Sequence, residues 1–321
     1  MKTRDTSPDV HTWDAHRGPL RAHHAGVRVL QCVSCGFAHV LPLPRLEMLA
    51  AYYAMQFYQE TWPDYLARYD ADRPWWEMTH RHLCAALPWS RFPAVPCLLE
   101  VGAGPGIALD VAQQLGWETL AIEPAPFLAA RLESRGHRAW AGTLEVMGAV
   151  PDPLPRRPDI LYLYEVLEHQ PDPPDFLRRC HTLLPPGGLL VLQVPNEWNA
   201  LQVAAQQQLG LPPWWVHPTH LAYFTPQTLR ALVAACGFTV LDMRGTFPME
   251  QFLLMGRQYV GDDAVGRRCH QERMAYELAM DASGLWPQLE AQYRQQLGIR
   301  EEPSIGREIV CIAQKGTSWA T

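Results

Sequence analysis

The sequence has no cluster of basic residues, no long apolar run and no ordered series of cysteines, and each absence narrows the reading. Lys and Arg number 27 against 33 Asp and Glu in 321 residues, a formal charge of −6. Binding to a phosphate backbone needs a basic face, so the balance argues against a nucleic-acid partner while leaving room for a local basic pocket. The longest apolar stretches, such as Gly188 to Val194, have strand length and cannot span a bilayer, so no membrane partner is expected. The opening residues, MKTRDTSPDVHTWDAHRG, carry charge but no apolar h-region, and no secretory signal is expected. Eight cysteines, most of them far apart, give no disulfide framework. No repeat or low-complexity segment is visible. The expectation is a reduced, cytoplasmic protein.

What is present is enough apolar material, 48% of residues, for one large core or one core with a satellite. The 29 prolines fall in clusters between periodic segments, where a missing N–H does least harm. From residue 97 the pattern alternates. Strands are expected at Cys97 to Val101, Thr119 to Ile122, His137 to Trp140, Asp159 to Tyr164 and Leu189 to Val194. Helices are expected at Ile107 to Leu115, Phe127 to Arg135 and Pro174 to Leu184. Short apolar runs alternating with helices indicate an α/β fold with a parallel sheet and crossover helices. Thr225 to Cys236 reads as a capped helix, with Pro226 at its first position and Gly237 after its end. Phe238 to Met243 and Glu308 to Ala313 read as closing strands. The domain expectation is an N-terminal accessory region, 1–96, and a main domain, 97–321, with insertions at 196–224 and 246–304.

The chemistry-bearing motif is the loop Glu100-Val101-Gly102-Ala103-Gly104-Pro105-Gly106, between a strand and a helix. Glycines let the chain turn tightly and let a ligand approach the backbone. A dinucleotide fingerprint would place a further glycine at 107, where Ile107 stands, which weakens a pyrophosphate reading. Glu123 ends the next strand, about 20 residues on, where an acid accepts bonds from ribose hydroxyls. Glu100 would repel a pyrophosphate but suits a ligand bearing an ammonium and a sulfonium. S-adenosylmethionine has both, with a ribose and no phosphate.

On these residues the chain resembles the class I S-adenosylmethionine-dependent methyltransferases. "EVGAGPG" is similar to their first motif and "AIEP" to their second. "DILYLYEVLEHQPDP", which contains Glu165, is similar to the fourth-strand motif, and "LLPPGGLLVLQVPN" to the segment after it. The resemblance covers roughly residues 97 to 243 plus the final strand. It implies a doubly wound seven-stranded sheet and a cofactor site built from Glu100, Gly102, Gly104, Gly106, Glu123 and Glu165, with Thr143 and Leu144 beside the adenine.

Methyl transfer from a sulfonium is an in-line displacement, so the protein must align the reactants and, where needed, remove a proton from the acceptor. The stretch "PPWWVHPTHLAYF" resembles the H-x-x-Y-F segment of sugar C-methyltransferases and relatives from polysaccharide and natural-product pathways. That resemblance implies His220 as the base and Tyr223 as a positioner, one helical turn apart if the segment is helical. The same residues also read as core. His169, in "EVLEH", is a second candidate base, for which a structural part in closing the cofactor pocket is the first expectation. In the late insertion Glu250, Arg257, Tyr259, Arg267, Arg268 and His270 read either as a lid or as a solvated face.

Cys32-x-x-Cys35-Gly36 has the shape of one zinc knuckle. The sugar C-methyltransferases carry an N-terminal zinc ribbon with two knuckles followed by a "YY" region, which "AAYYAMQFYQE" resembles. No second cysteine pair precedes Cys32. A tetrahedral structural site needs four ligands, and Asp14, His16, His23 and His24 are the nearby substitutes. The pair is thus either half of a zinc site or a turn held by its glycine. The function expected is S-adenosylmethionine-dependent methyl transfer to a small polar metabolite, such as a sugar-linked or natural-product intermediate, on oxygen or carbon. The alternatives are O-methylation of a quinone-like or phenolic substrate, and a non-catalytic cofactor-binding protein.

Overall fold

Two sheets organise the chain, and the computed structural model describes residues 10–13, 16–88, 92–144, 154–298 and 304–316 of it. Four strands come first: β1 (Val10–Trp13), β2 (His16–His24), β3 (Val27–Gln31) and β4 (Ala38–Leu41). They pair antiparallel in chain order. The composition of residues 1–96 suggests a knuckle and helices but does not announce this sheet, because β2 is largely exposed and shows no two-residue alternation. Helices Leu46–Ala51, Tyr65–Ala71 and Arg73–Ala85 follow, with a π-helical turn, Tyr52–Thr61, between the first two.

The second sheet takes β5 (Cys97–Val101), β6 (Glu118–Glu123), β7 (Arg138–Ala141), β8 (Ile160–Tyr164) and β9 (Leu189–Pro195). The short β10 (Ala222–Tyr223) belongs elsewhere, and β11 (Phe238–Gly245) and β12 (Glu308–Lys315) complete the seven. The order is β11-β12-β9-β8-β5-β6-β7, parallel from β9 to β7 and antiparallel at β12. This is the doubly wound sheet expected. Every residue of β5 and β9 is buried, as a parallel sheet covered on both faces requires. Leu99, Leu161, Leu192 and Phe176 fill one side and Leu98, Ile160, Val191 and Ala112 the other. Strand order reverses direction at β5, so the crevice beyond the carboxyl ends of β5 and β8 is where such sheets bind ligands.

The two insertions have distinct fates. Residues 196–224 contribute helix Ala200–Leu209 and then β10, which leaves the large sheet and pairs antiparallel with β4, Ala222 opposite His39 and Tyr223 opposite Ala38. The His220–Tyr223 segment is therefore not helical: Ala222 and Tyr223 pair with β4, and the His220 amide closes a turn on the His217 carbonyl at 3.1 Å. Between 246 and 298 lie helices Gln251–Leu254, Asp263–Ala282 and Trp286–Gln296, whose apolar residues Phe252, Cys269, Trp286 and Leu289 pack on Trp75 and Met78. Among the described residues no helix is long and apolar enough to cross a membrane.

Helix Pro226–Ala235 starts as its sequence indicates. The Thr225 hydroxyl accepts from the Thr228 amide at 3.3 Å, and the Thr228 hydroxyl accepts from the Thr225 amide at 2.9 Å. This reciprocal cap satisfies two amides that the helix cannot. Thr225→Ala is expected to cost about 1 kcal/mol, read as a lower urea midpoint at unchanged m-value. An unchanged midpoint would mean that the cap adds no net stability.

Candidate functional site

The glycine loop closes around one carboxylate. Glu123, 1% exposed at the end of β6, accepts the Gly104 amide on one oxygen at 2.8 Å and the Ala125 amide on the other at 2.9 Å. Gly102 has φ +72°, and a Cβ there would stand 2.8 Å from the Val166 side chain. Gly104 has φ +50°, and its missing Cβ leaves open the space beneath the hydroxyls of Tyr58 and Tyr65. Gly106 ends the loop and opens helix Ile107–Gln114.

A cavity of about 200 Å³ lies over this loop. Its lining includes Glu100, Gly102, Gly104 and Glu123, together with Tyr69, His80, Tyr164 and Glu165. A smaller cavity of about 60 Å³ continues past Gly102 to Thr143 and Leu144, with Ile122, Leu49 and Phe176 around it. Tyr53, Gly102, His169 and Gln170 border both, so the two are neighbouring compartments of one crevice. The roof is the aromatic segment 52–69. Tyr58 and Tyr65 sit edge to face at 5.3 Å, and the Tyr58 hydroxyl bonds to Glu123. Tyr69 stacks on Trp76 with ring centres 4.8 Å apart, which in turn stacks near His80. The sequence marks this segment only as a "YY" region; nothing in its spacing indicates that Tyr58 meets Glu123.

Burial sets the electrostatics. It raises the Glu123 carboxyl to about 7, against the lowering effect of the amides of Ala125 and Gly104 and of Tyr58. Burial and the neighbouring Glu123 push Glu100 well above the carboxylate range, and one Glu100 oxygen has no partner among the described residues. Glu165 adopts φ +53°, a strained conformation for a residue with a Cβ. Burial, then Glu308, raises its carboxyl too. A ligand that brought positive charge or hydrogen-bond donors to these buried carboxyls would favour their ionised form.

Next to the cavity is a cluster of imidazoles. His169 borders it, and its Nδ1 lies 2.7 Å from the Thr219 carbonyl oxygen, so Nδ1 carries the proton and Nε2 keeps its lone pair. Burial lowers the His169 pKa to about 4. His220 packs on His169 at 5.2 Å between ring centres and stands behind it, outside the cavity lining. Burial and then His169 hold His220 neutral. Its Nδ1 is 3.8 Å from Glu197, and both oxygens of Glu168, 1% exposed, have no hydrogen-bond partner among the described residues. Ligand atoms of Glu168, His169 and His220 lie within 4.8 Å of one another. The Tyr223 hydroxyl donates to the His217 carbonyl and accepts its amide, both at 3.2 Å, and their ring contact keeps Tyr223 6.3 Å from His220. Glu197 has no motif to mark it, since it reaches the cluster through the fold.

The insertion residues are spread out. Glu250 is buried and bonds Arg307 at 2.8 Å, Arg267 and His270 pair with Asp72, and Arg257 pairs with Glu272 at the surface. None of them borders the cavity over the glycine loop. On the N-terminal sheet, Cys32 and Cys35 meet His16 and His39, while His23 is exposed on β2 and Asp14 lies outside the described residues.

Comparison with known proteins settles the family. A family model described as a methyltransferase domain matches residues 69–243, more than half of the chain. The chain belongs to the class I S-adenosylmethionine-dependent methyltransferases. Among curated proteins, this methyltransferase is 32% identical over 174 residues to a ubiquinone biosynthesis O-methyltransferase of Caulobacter sp. strain K31, covering 50% of this chain and 65% of that one. It is 30% identical over 162 residues to the Azotobacter vinelandii protein of the same name, covering 46% and 66%. The chain thus spans just under two thirds of the length of these relatives. A chain of the complex between the Haloferax volcanii Trm112 methyltransferase activator and a methyltransferase shares the fold, with a TM-score of 0.50 at 14% identity over 83% of this chain and 98% of that one.

The residues present fit the methyl donor. Two glycines leave a cradle that a Cβ would fill, and Glu123 faces the cavity where a ribose diol needs acceptors. The unpartnered Glu100 oxygen suits an ammonium, and the unpartnered Thr143 hydroxyl sits in a small compartment with mostly apolar walls, as a purine would need. In calorimetric titrations Glu123→Ala is expected to weaken S-adenosylmethionine binding tenfold or more, about 1.4 kcal/mol. Wild-type affinity should also fall between pH 8 and pH 6, because Glu123 takes up a proton near 7 and loses acceptor capacity. Glu123→Gln should flatten that change; a wild-type to Gln ratio that stays constant with pH would remove Glu123 from the cofactor contact.

Proposed function

We propose that this methyltransferase methylates a hydroxyl of a small planar, phenolic or quinone-derived acceptor. The observation that carries this reading is the aromatic lining of the cavity, to which Tyr65, Tyr69, His80 and Tyr164 contribute and to which neither Arg nor Lys contributes. Flat apolar walls with a few polar groups suit an aromatic ring. The names of the curated relatives, ubiquinone biosynthesis O-methyltransferases, point the same way. The sugar-linked reading keeps one observation in its favour: the buried carboxylate of Glu165 is a good acceptor for vicinal hydroxyls.

The bound donor supplies a sulfonium methyl open to in-line displacement. The chain's own residues hold and align. Glu100, Gly102, Gly104 and Glu123 hold the donor, with Thr143 and Leu144 at the purine, and Glu165 faces the reacting end. His169 takes the acceptor's proton on Nε2, since its neutral state and its bond to Thr219 leave that lone pair available. His220, first in the sequence reading, serves as the second imidazole behind it, backed by Glu197. Tyr223 positions the His217–His220 turn through its backbone bonds. Zinc on Cys32 and Cys35 belongs to the same proposal as a structural ion, apart from the methyl-transfer chemistry.

The test is transfer of labelled methyl to two acceptor panels, catechols with hydroquinones and nucleoside-diphosphate sugars. Transfer to the phenolic panel is expected, and transfer to the sugars alone would overturn the reading. His169→Ala should lower kcat by about 100-fold or more while the cofactor Kd stays within a few-fold. His220→Ala should cost less. The reverse order would return the base role to His220.

A further inference from the structure

The geometry points to a metal centre on the N-terminal sheet: we propose that His16, Cys32, Cys35 and His39 bind one zinc ion, and that this ion staples the strand holding the histidine segment 217–220 against the methyltransferase domain. The metal half stands by itself. The stapling half rests on the proposed role of His169 and His220.

The four donors come from three places that sequence spacing does not connect: the start of β2, the turn between β3 and β4, and the middle of β4. Their ligand atoms all lie within 4.8 Å of one another. His16 Nδ1 is 3.2 Å from Cys35 Sγ and 3.7 Å from Cys32 Sγ. With Zn–S near 2.3 Å and Zn–N near 2.1 Å, the sulfur-to-nitrogen edge of a tetrahedron is about 3.6 Å. The turn itself has knuckle form: the Cys35 amide points at Cys32 Sγ at 3.4 Å, and the Gly36 amide donates to the Cys32 carbonyl at 3.1 Å, with Gly36 at φ +78°.

His39 supplies the independent sign of a ligand. It is 2% exposed, its Nδ1 donates to the Val40 carbonyl at 2.9 Å, and its Nε2 makes no well-formed hydrogen bond, the Cys32 thiol being its neighbour. A metal-bound imidazole has this arrangement, one nitrogen fixed by a carbonyl and the other left with a lone pair. A buried ring nitrogen without a partner is otherwise costly. The cluster borders a cavity of about 510 Å³, lined by His16, Cys35 and His39 on one side, which gives an ion a path in. Two thiolates and two imidazoles select zinc over the hard cations, which take oxygen ligands.

What the ion would hold is set by strand pairing. His39 lies opposite Ala222 on β10, and the Val40 amide donates to the Leu221 carbonyl at 2.9 Å. The Leu221 amide in turn donates to the Glu168 carbonyl at 2.7 Å, and the Thr219 carbonyl accepts from His169. Two backbone bonds separate a ligand strand from the imidazole cluster. A two-residue strand is weak by itself, so fixing β4 at His39 fixes the turn that carries His217 and His220.

The 321-residue chain, purified without chelator, should contain one zinc per chain by mass spectrometry of the metal. His39→Gln and Cys35→Ser should bind zinc roughly 100-fold more weakly or worse, while His23→Ala, at the exposed far end of β2, should keep it. Absence of stoichiometric zinc after reconstitution of the wild type, or full retention in His39→Gln, would overturn the site. Should the variants not fold, wild-type protein with and without chelation still decides. Hydrogen exchange at residues 38–41 and 219–224 should quicken at least tenfold on zinc removal, with residues 118–123 unchanged and S-adenosylmethionine still bound. Unchanged exchange at 219–224 would sink the staple. Neither readout uses methyl transfer, so failure of the acceptor reading leaves both intact.

Discussion

Both oxygens of Glu123 are held by backbone amides from different loops, Gly104 after β5 and Ala125 after β6. Through this one side chain the carboxyl ends of two neighbouring strands are tied together in a place where water does not reach. A carboxylate at that depth is unfavourable unless donors surround it, so the loops must close on it for the sheet edge to form. The glycines follow from that need. Only residues without a Cβ let the chain bend over Val166 and bring the Gly104 amide to the acid. The crevice over the loop is what remains once these constraints are met.

The accessory sheet and the methyltransferase sheet are not independent pieces. β10 is donated by the segment following β9 and completes the N-terminal sheet, and Phe37 of that sheet packs on Phe224 with ring centres 5.3 Å apart. Phe37 is counted within the same apolar core as Leu99 and Leu192. Such shared burial joins the small sheet to the side of the crevice where His169 and His220 lie. The helical insertion does the equivalent work on the other side, where Trp75 is bonded to Glu277 at 2.7 Å and Arg273 lies over its ring.

The large sheet was legible in the sequence because each strand is a short apolar run closed by turn residues, and the helices between them carry their own periodicity. Ile107–Gln114, Pro173–Leu183 and Pro226–Ala235 begin within a residue of the expected starts at Ile107, Pro174 and Thr225. The glycine loop and Glu123 were legible for the same reason, since their spacing is fixed by one strand–helix–strand unit. The N-terminal sheet was not, because β2 lacks two-residue alternation and β4 is buried throughout, and the register of His220 and Tyr223 depended on a strand about 180 residues earlier. His39, Tyr58 and Glu197 were invisible on similar grounds. Each acquires its neighbours from across the fold, and no local pattern records such a meeting.

The Tyr58 hydroxyl gives the crevice an unusual resting state. It already occupies an acceptor position on Glu123, within reach of the space above Gly104. On the proposed reading, a ribose hydroxyl bonding Glu123 would exchange one hydrogen bond for another, so the net gain there would be only the difference between the two. The aromatic roof must then yield, and it is built on a π-helical turn, Tyr52–Thr61, whose i→i+5 bonding is less regular than that of an α-helix. Entry of the donor is consequently a competition with the protein's own side chain. A hydroxyl that reached Glu123 from the cavity would have to take the place of the Tyr58 hydroxyl.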